Sequence, residues 1–237
     1  MIWLQIIGRI LELLMTSSAV PSQILFLPGA LGRTWLWEPV AGLLAHPALK
    51  MHIGWPGFGS MPSDPQVNGI DDLVEMVASR ITQPTALVAQ SMGGAIAVRV
   101  ALEKPELITH LVLAVTSGGI DVAVLGGQDW RPAFHESSPQ LPRWFSAYQE
   151  DLSARLPTVR ISALLLWGDS DPISPVCVGQ RLASLLPHAR LHIVEGGDHD
   201  LAETHAVEIA PLIDEFFATA TQSTIPPDLP QTAAAGN

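Results

Sequence analysis

The feature that most restricts the fold of this chain is an apolar strand that runs directly into a serine and then into a small-residue helix. The stretch Leu87–Ala95 reads Leu-Val-Ala-Gln-Ser-Met-Gly-Gly-Ala, with Ser91 at the junction. Such a sequence is typical of a tight strand-to-helix turn, which holds a serine hydroxyl above the edge of a parallel sheet. Because a serine hydroxyl is protonated at neutral pH, it needs a neighbouring base before it can attack. The junction therefore predicts an acid after a later strand and a histidine near the end of the chain.

Short apolar runs along the chain predict the sheet that such a turn needs. The predicted strands are Gln23–Leu27, Met51–Ile53, Ala86–Ala89, Leu111–Val115, Ala163–Trp167 and Arg190–Val194. Helical patterns lie between or after them, at Asp71–Arg80, Gly93–Leu102 and Val207–Phe217. Strands that are apolar throughout and alternate with helices indicate a mostly parallel sheet covered on both faces. The predicted fold class is therefore α/β, with the loops after the strands gathered on one edge.

Composition and charge exclude several classes of function. The chain has 237 residues and a formal net charge of −11, without a basic run, so no nucleic-acid partner is expected. Its single cysteine, Cys177, excludes an intrachain disulfide and fits a reducing, cytoplasmic location. The apolar neighbours of Cys177 predict that it is buried. No His or Cys pair has metal-ligand spacing, so neither a metal nor a cofactor is expected.

The two ends of the chain differ from its middle. Residues 1–20 begin with an apolar run that is interrupted by Gln5, Arg9 and Glu12, and the run is too short to span a membrane. We expect an N-terminal appendage at 1–20 and an α/β domain at 21–218. Residues 219–237 are rich in Thr, Pro, Ala and Gln and predict a disordered tail. The oligomeric state is left open by the sequence.

About 45 residues of different texture separate the fourth and fifth predicted strands. Glycine pairs and a concentration of aromatic residues are typical of an insertion that covers a binding site, and the length agrees. We expect residues 118–160 to form a short helical lid, although a surface excursion with its own small core is the simpler alternative. The aromatic residues expected to line a substrate pocket are Trp130, Phe134, Trp144 and Phe145.

Two carboxylates compete for the role of the acid, and one histidine suits the role of the base. Asp169 and Asp171 both follow the fifth strand in Gly-Asp-Ser-Asp-Pro. The turn favours Asp171 as the residue that faces the sheet edge, whereas Asp169 suits a capping position. His199 follows the sixth strand in Glu-Gly-Gly-Asp-His-Asp, where the glycines let the loop fold back over Ser91. The order Ser91, Asp171, His199 indicates a nucleophile, an orienting acid and a base.

From Gln23 to Phe217 the chain resembles the α/β-hydrolase superfamily. Besides the three candidate residues, Leu-Pro-Gly-Ala-Leu-Gly at 27–32 resembles the oxyanion loop of that family. Pro-Gly-Phe-Gly-Ser at 56–60 and Gly-Asp-Ser-Asp-Pro at 168–172 resemble two further family segments. The resemblance implies an oxyanion hole made by the backbone N–H groups of Ala30 and Met92, with Leu31 in the pocket. The start of a helix at Met92 agrees with that role, because unpaired N–H groups there favour negative charge.

The chain departs from the family pattern at three positions. In that family, the strand-to-helix turn around the serine usually has a glycine two positions before the serine. Ala89 stands there in this chain, so a methyl group must fit where helix and strand pack closely. Pro28 replaces a histidine that is usual in the oxyanion loop, and Gly54 replaces an aspartate that often precedes the Pro-Gly turn. None of the three changes removes a group with a predicted catalytic role.

The expected function is hydrolysis of a carboxylic ester or thioester of a small to medium apolar acyl group. The alternatives on the same three residues are a carbon–carbon bond hydrolase and a lyase-like synthase of the menaquinone pathway. The synthase would need a cationic pocket, for which Arg131 and Arg143 are the candidates. A ligand receptor built on a hydrolase fold is a third alternative, although a binding module has no need of all three side chains. The expected partner is a small acyl substrate.

Overall fold

The apolar runs of the sequence form the strands of one sheet in a computed structural model, which describes residues 20–218. The predicted tail and, apart from Val20, the predicted N-terminal appendage lie outside the described residues. The strands are β1 (Gln23–Leu27), β2 (Leu49–His52), β3 (Thr85–Gln90), β4 (Ile108–Ala114), β5 (Ser162–Gly168) and β6 (Ala189–Val194). Every residue of β1, β3 and β4 is buried. Burial on both faces is what continuous apolar strands require, so the predicted α/β sheet is confirmed.

The order of the strands places a crevice beside β1. The six strands lie in the order β2-β1-β3-β4-β5-β6, and all five neighbouring pairs are parallel. The chain moves from β1 to one side to form β2 and then crosses to the other side to form β3. The direction of winding therefore reverses between β1 and β3. Open parallel sheets bind their ligands at the carboxyl ends of the strands beside such a reversal.

Helices cover the sheet and connect its strands. They are α1 (Glu38–Leu43), α2 (Ile70–Ser79), α3 (Met92–Glu103), α4 (Arg131–Ser137), α5 (Trp144–Ala147), α6 (Val176–Leu185), α7 (Leu201–Thr204) and α8 (Ala206–Ala218). Short 3-10 helices occur at Thr34–Trp37, Pro105–Leu107, Ala123–Leu125 and Leu156–Thr158. α1 packs against α8, α2 packs against α3, and α6 packs on β5 and β6. None of the helices within residues 20–218 is long and apolar enough to cross a bilayer.

The 118–160 insertion between β4 and β5 has an aromatic core of its own. The ring of Phe145 stacks on Trp130, with 5.7 Å between centroids, and meets Phe134 edge-on at 4.9 Å. Phe145 also meets Phe58 edge-on at 5.1 Å, and Phe58 belongs to the fully buried core of the domain. Edge-to-face and offset aromatic pairs add stability beyond their buried area. The aromatic residues of the insertion therefore hold it to the core.

The prediction that Cys177 is buried is wrong. Cys177 lies in the first turn of α6 and is exposed, and its thiol contacts the carbonyl oxygen of Leu125 at 3.0 Å. The next residue, Val178, is buried together with Leu182, one turn further along. Side chains four residues apart share one face of a helix, and here that face packs on the sheet. The apolar run around Cys177 does not show which of its members faces the solvent.

Candidate active site

Ser91, His199 and Asp171 meet in one hydrogen-bonded chain at the carboxyl edge of the sheet. The Nδ1 atom of His199 lies 2.7 Å from Oδ2 of Asp171, and its Nε2 atom lies 3.0 Å from Oγ of Ser91. Since a carboxylate only accepts, Nδ1–H donates to Asp171. That leaves Nε2 unprotonated, in position to accept the hydroxyl proton of Ser91. The arrangement supplies a base next to the hydroxyl and an anion that orients the base.

A strained turn holds the hydroxyl of Ser91 in this position. Ser91 lies between β3 and α3 and has a φ angle of 53°, in a region that residues other than glycine rarely adopt. The hydroxyl of Thr116 donates to the carbonyl oxygen of Ser91, and the N–H of Gly118 donates to Oγ1 of Thr116 at 3.0 Å. Such strain persists only where the surroundings over-determine the conformation. The buried side chain of Thr116 supplies part of that constraint.

The two carboxylates of the acid loop have separate positions. Asp171 is only 3% exposed, and its Oδ1 accepts the N–H of Ile173 at 2.8 Å while Oδ2 accepts from His199. Asp169 is exposed, and its Oδ1 accepts the N–H of Gly196 at 2.8 Å. Asp171 thus faces the histidine ring, whereas Asp169 ties the acid loop to the loop that precedes His199. Asp169 is therefore a contact between two loops and does not cap the following helix, which begins without a side-chain cap.

The two residues whose N–H groups are predicted for an oxyanion hole line the same cavity as Ser91. Ala30 follows β1, Met92 is the first residue of α3, and both line the cavity. Within residues 20–218, neither N–H donates a hydrogen bond. The loop that carries Ala30 is held by the indole N–H groups of Trp37 and Trp55, which donate to the carbonyl oxygens of Leu27 and Pro28 at 3.2 and 3.1 Å. Two free N–H groups beside the hydroxyl form a suitable site for a developing oxyanion.

Close packing of α3 against the loop after β1 requires a glycine at position 93. A Cβ atom there would lie 2.6 Å from the carbonyl oxygen of Pro28 and 2.9 Å from that of Leu27, both of which are backbone atoms. We expect Gly93→Ala to lower the free energy of unfolding by about 1–3 kcal/mol, as overpacking typically does. The matched change Gly42→Ala, in α1 with no atom within 4 Å of the new Cβ, should raise it by about 0.5–1 kcal/mol. Urea unfolding of both variants measures the difference, and equal effects would contradict this packing.

A cavity of about 1130 Å³ opens above Ser91 between the sheet edge and the insertion. Its apolar walls come from the oxyanion loop, the first turns of α2 and α3, and the segment after β4. Among these residues are Leu31, Leu36, Ile70, Ile96, Val115 and Ile120. The insertion contributes Trp130, Phe134 and Phe145, so four of the five residues predicted for the pocket line this cavity. Ser91 and His199 lie in the same wall.

Trp144, the fifth residue predicted for the pocket, is not among the residues that line this cavity. Its ring meets Phe58 and Phe145 edge-on, with centroid distances of 5.8 and 6.2 Å. Trp144 lines a smaller cavity instead, of about 360 Å³, together with Asn68. The prediction of Trp144 as a pocket residue is therefore corrected. Neighbouring residues of a short helix point in different directions, and only Phe145 faces the large cavity.

Carboxylates outnumber arginines in the wall of the large cavity. Five carboxylates line it, namely Asp121, Asp129, Glu150, Asp151 and Asp200. Two arginines of the described chain also line it, and each is paired. Arg33 lies 3.1 Å from Asp200, and Arg131 lies 3.1 Å from Asp129 and donates to the carbonyl oxygen of Ser146 at 2.8 Å. Arg143, the other candidate for a cationic pocket, is exposed and does not line this cavity.

Arg99 of α3 attaches the insertion to the domain. Its guanidinium contacts Asp71 of α2 at 2.7 Å, and it reaches Glu150 and the hydroxyl of Tyr148 in the insertion, each at 3.3 Å. Burial and a hydrogen bond to Glu150 raise the pKa of Tyr148 to about 12, so its hydroxyl is protonated at neutral pH and donates to the carboxylate of Glu150. Tyr148 and Glu150 both line the large cavity. Arg99 of α3, the helix that begins after Ser91, therefore holds the part of the cavity wall that Tyr148 and Glu150 form.

Sequence reasoning missed two side chains that support the site, Gln90 and Thr116. Gln90 precedes the serine and donates from Nε2 to the carbonyl oxygen of His199 at 2.9 Å. Thr116 holds the turn at Ser91 as described above. Both are buried polar residues at the carboxyl end of a strand, and a buried polar group needs a hydrogen-bond partner. A polar residue that interrupts an apolar strand next to a reactive serine is the signal that was available. Among residues 20–218, no cluster of three or more His, Cys, Asp or Glu side chains is arranged to hold a metal.

Comparison with known proteins agrees with the geometry. Residues 24–135 match the model of the alpha/beta hydrolase family. The chain is 25% identical to a 2-hydroxymuconate semialdehyde hydrolase of Pseudomonas sp. strain CF600, over 71% of this chain and 75% of that protein. It is 24% identical to a pimeloyl-[acyl-carrier protein] methyl ester esterase of Nitrosomonas europaea, over 66% of this chain and 80% of that protein.

A solved structure shows the same fold. The structure of a thermophilic esterase from Thermogutta terrifontis superimposes with a TM-score of 0.68 at 17% identity, and the match covers 84% of this chain and 90% of that one. Its identity is low, so the likeness bears on the fold alone. The family match, the two relatives and this fold all support the α/β-hydrolase superfamily of enzymes.

Proposed function

We propose that the chain is a serine hydrolase that cleaves a carboxylic ester or thioester of a small to medium apolar acyl group. The observation that carries the proposal is the continuous hydrogen-bonded chain from Asp171 through His199 to the hydroxyl of Ser91. Ser91 and His199 line a cavity with several apolar residues, and in residues 20–218 the neighbouring backbone N–H groups of Ala30 and Met92 donate no hydrogen bond. Acyl transfer needs these groups together: a nucleophile, a base and donors for the oxyanion.

The proposed reaction proceeds in two halves. In the first, Ser91 Oγ forms a bond to the acyl carbon while its proton passes to Nε2 of His199. The N–H groups of Ala30 and Met92 stabilise the oxyanion, and each such donor contributes about 2.7–4 kcal/mol in related chemistry. The bond to the leaving group then breaks, and the alcohol or thiol takes the proton from His199. Asp171 holds the imidazole in its orientation and stabilises the imidazolium.

In the second half, a water molecule gives a proton to His199 and its oxygen attacks the acyl carbon. The bond from that carbon to Ser91 Oγ breaks, the serine recovers the proton, and the carboxylic acid leaves. The 118–160 insertion would act as the lid that excludes other water, with Trp130, Phe134 and Phe145 against the acyl group. We place the acyl group there because these three rings line the same cavity as Ser91.

A carbon–carbon bond hydrolase is the second candidate. The observation that favours it is the similarity to the relative from Pseudomonas sp. strain CF600, which is named a 2-hydroxymuconate semialdehyde hydrolase. The name 2-hydroxymuconate describes an acid, and an acid substrate needs a free cation in the pocket. Both arginines of the described cavity wall are already paired with carboxylates. An anionic substrate would have to displace Asp129 or Asp200. The charge of the cavity therefore favours a neutral ester over this candidate and over the lyase-like synthase.

Hydrolysis of a series of p-nitrophenyl esters, from acetyl to decanoyl, tests the proposal. We expect turnover with a maximum at one chain length, set by the apolar walls of the cavity. Multiple turnovers also separate an enzyme from a receptor on the same fold, which would release one equivalent of p-nitrophenol and retain the acyl group. If the wild type cleaves no ester in the series, the proposal of an ester hydrolase fails.

Inhibition by a dicarboxylate separates the two candidate substrate classes. We expect glutarate not to compete with the best p-nitrophenyl ester. The carboxylates in the cavity wall outnumber the arginines, which are already paired, and they repel the two carboxylates of glutarate. Dimethyl glutarate, of the same length but uncharged, is the matched probe and should compete. Initial rates at increasing concentrations of each compound measure both effects. Competitive inhibition by glutarate, at concentrations where dimethyl glutarate inhibits only weakly, would favour an acidic substrate instead.

A further inference from the structure

Besides Asp171, a second buried side chain contacts the loop of His199, and it belongs to Gln90, the residue just before Ser91. Gln90 is the last residue of β3 and is only 3% exposed. Its Nε2 donates to the backbone carbonyl oxygen of His199 at 2.9 Å, across 109 positions of sequence. A carbonyl oxygen only accepts, so the amide nitrogen must face His199. The amide oxygen then points the other way.

The amide oxygen of Gln90 packs against the loop that carries the oxyanion donor. A Cβ atom added to Gly29 would lie 2.4 Å from Oε1 of Gln90 and 3.1 Å from Cβ of Ser91. Gly29 therefore leaves just enough room for this amide, and Ala30 follows it directly. One buried side chain thus contacts the histidine loop on one side and the oxyanion loop on the other, and its own backbone leads into Ser91.

We infer that Gln90 is a positioning residue, which fixes the imidazole of His199 at hydrogen-bond distance from Ser91 by holding the carbonyl group of His199. The loop from Val194 to Asp200 contains two adjacent glycines, so its own backbone is freer than most. Asp171 holds the ring at Nδ1, but one hydrogen bond leaves the ring free to tilt about it. A second attachment at the backbone removes that freedom, and a displacement of about 1 Å between reacting groups can cost about 10²-fold in rate.

The inference rests on the proposed function only through the roles of Ser91 and His199, and a substrate-independent probe can test it. A fluorophosphonate reacts with a serine that a neighbouring histidine activates, whatever the natural substrate. We expect Gln90→Leu, which keeps the size but removes the donor, to lower the second-order rate of Ser91 labelling by about 10–100-fold. Gln90→Glu, of equal shape but with oxygens that only accept, should lower it at least as much at neutral pH.

Gln23 provides a matched control. It too is 3% exposed, lies in the same sheet and donates to a backbone carbonyl oxygen, that of Arg80, at 3.2 Å. It lies at the amino end of β1, however, and so at the opposite edge from Ser91. Gln23→Leu should lower the melting temperature about as much as Gln90→Leu does, and should leave labelling within about twofold of the wild type. On an ester, Gln90→Leu should reduce kcat with KM within about twofold, since leucine fills the same volume in the part of the cavity wall that Gln90 lines.

The outcomes separate this inference from the proposed function. Equal labelling of the wild type, Gln90→Leu and Gln90→Glu overturns the role of Gln90, as does a parallel loss in Gln23→Leu. If Gln90→Leu does not fold, Gln90→Glu and Gln90→Asn provide the test. The shorter amide of Gln90→Asn does not reach the carbonyl group of His199, so Ser91 should also be labelled slowly in that variant. Labelling of Ser91 at the wild-type rate in either variant overturns the inference. A wild type that labels at Ser91 but cleaves no ester contradicts the ester proposal alone. Absence of labelling in the wild type overturns both.

Discussion

Ser91→Ala is expected to abolish ester turnover, with a loss of about 10⁶-fold in kcat, comparable to removal of the nucleophile in other serine hydrolases. Alanine has no group that can form the acyl intermediate, while His199, Asp171 and the N–H groups of Ala30 and Met92 remain. The residual rate would come from substrate binding and the oxyanion donors alone. Initial rates on the best p-nitrophenyl ester measure the loss, and KM should change little where a residual rate is measurable.

The same variant should keep the fold. The change removes a hydrogen bond to His199, worth about 1 kcal/mol, and leaves the backbone of the turn as it is. Ser184→Ala is the control, since it removes an exposed hydroxyl that donates to the carbonyl oxygen of Arg181 on α6, away from the site. Its turnover should equal that of the wild type. Undiminished turnover by Ser91→Ala, with the melting temperature retained, would show that another group is the nucleophile.

Asp171→Asn is expected to lower kcat by about 10⁴-fold, as the equivalent change does in a serine protease. The carboxylate now accepts from Nδ1–H of His199 at 2.7 Å and so leaves Nε2 free to accept the proton of Ser91. An amide can donate to Nδ1 instead, which places the ring proton on Nε2 and removes the base. Asp171 is nearly fully buried, so water cannot replace its carboxylate at Nδ1.

Asp169→Asn is the matched change, two positions away in the same loop. Its carboxylate accepts the N–H of Gly196, and an amide oxygen can accept the same bond. We expect the turnover of Asp169→Asn to stay within about threefold of the wild type, with a melting temperature near that of Asp171→Asn. Rates of both variants on the same ester decide the assignment. A large loss in Asp169→Asn together with an active Asp171→Asn would exchange the roles of the two residues.

The strands were predictable because their burial pattern is local. All six predicted strands exist, and β1 has its predicted bounds at Gln23–Leu27. β4 is Ile108–Ala114 rather than Leu111–Val115. Val115 leaves the strand with a φ angle of 40°, a region that is unfavourable for a β-branched residue. An apolar run does not show such a bend, because the run records which side chains are buried and not the backbone angles at its end.

The supporting side chains of the site were not predictable in the same way. Gln90 binds the carbonyl of a residue more than one hundred positions away, and Arg131 is paired with Asp129 although its charge alone suggested a free cation. Trp144 and Phe145 are adjacent in an equally aromatic sequence, yet only Phe145 lines the cavity with Ser91. The contact of Gln90 and the position of Phe145 depend on how segments far apart in sequence pack together. Arg131 and Asp129 are only two positions apart, and their pairing depends on side-chain geometry that the residue types do not record.

The sequence by itself determined the α/β class, the strand-to-helix turn at Ser91 and the order in which an acid and a histidine follow it. Those features come from apolar periodicity and from small residues at turns, which act over a few neighbouring positions. Tertiary structure alone decided that Gln90 holds the carbonyl of His199, that Arg33 is paired with Asp200 and that Asp169 ties the acid loop to the loop before His199. These are contacts between separate loops at one sheet edge, and their partners are chosen by distance and burial in the folded chain, which local sequence does not record.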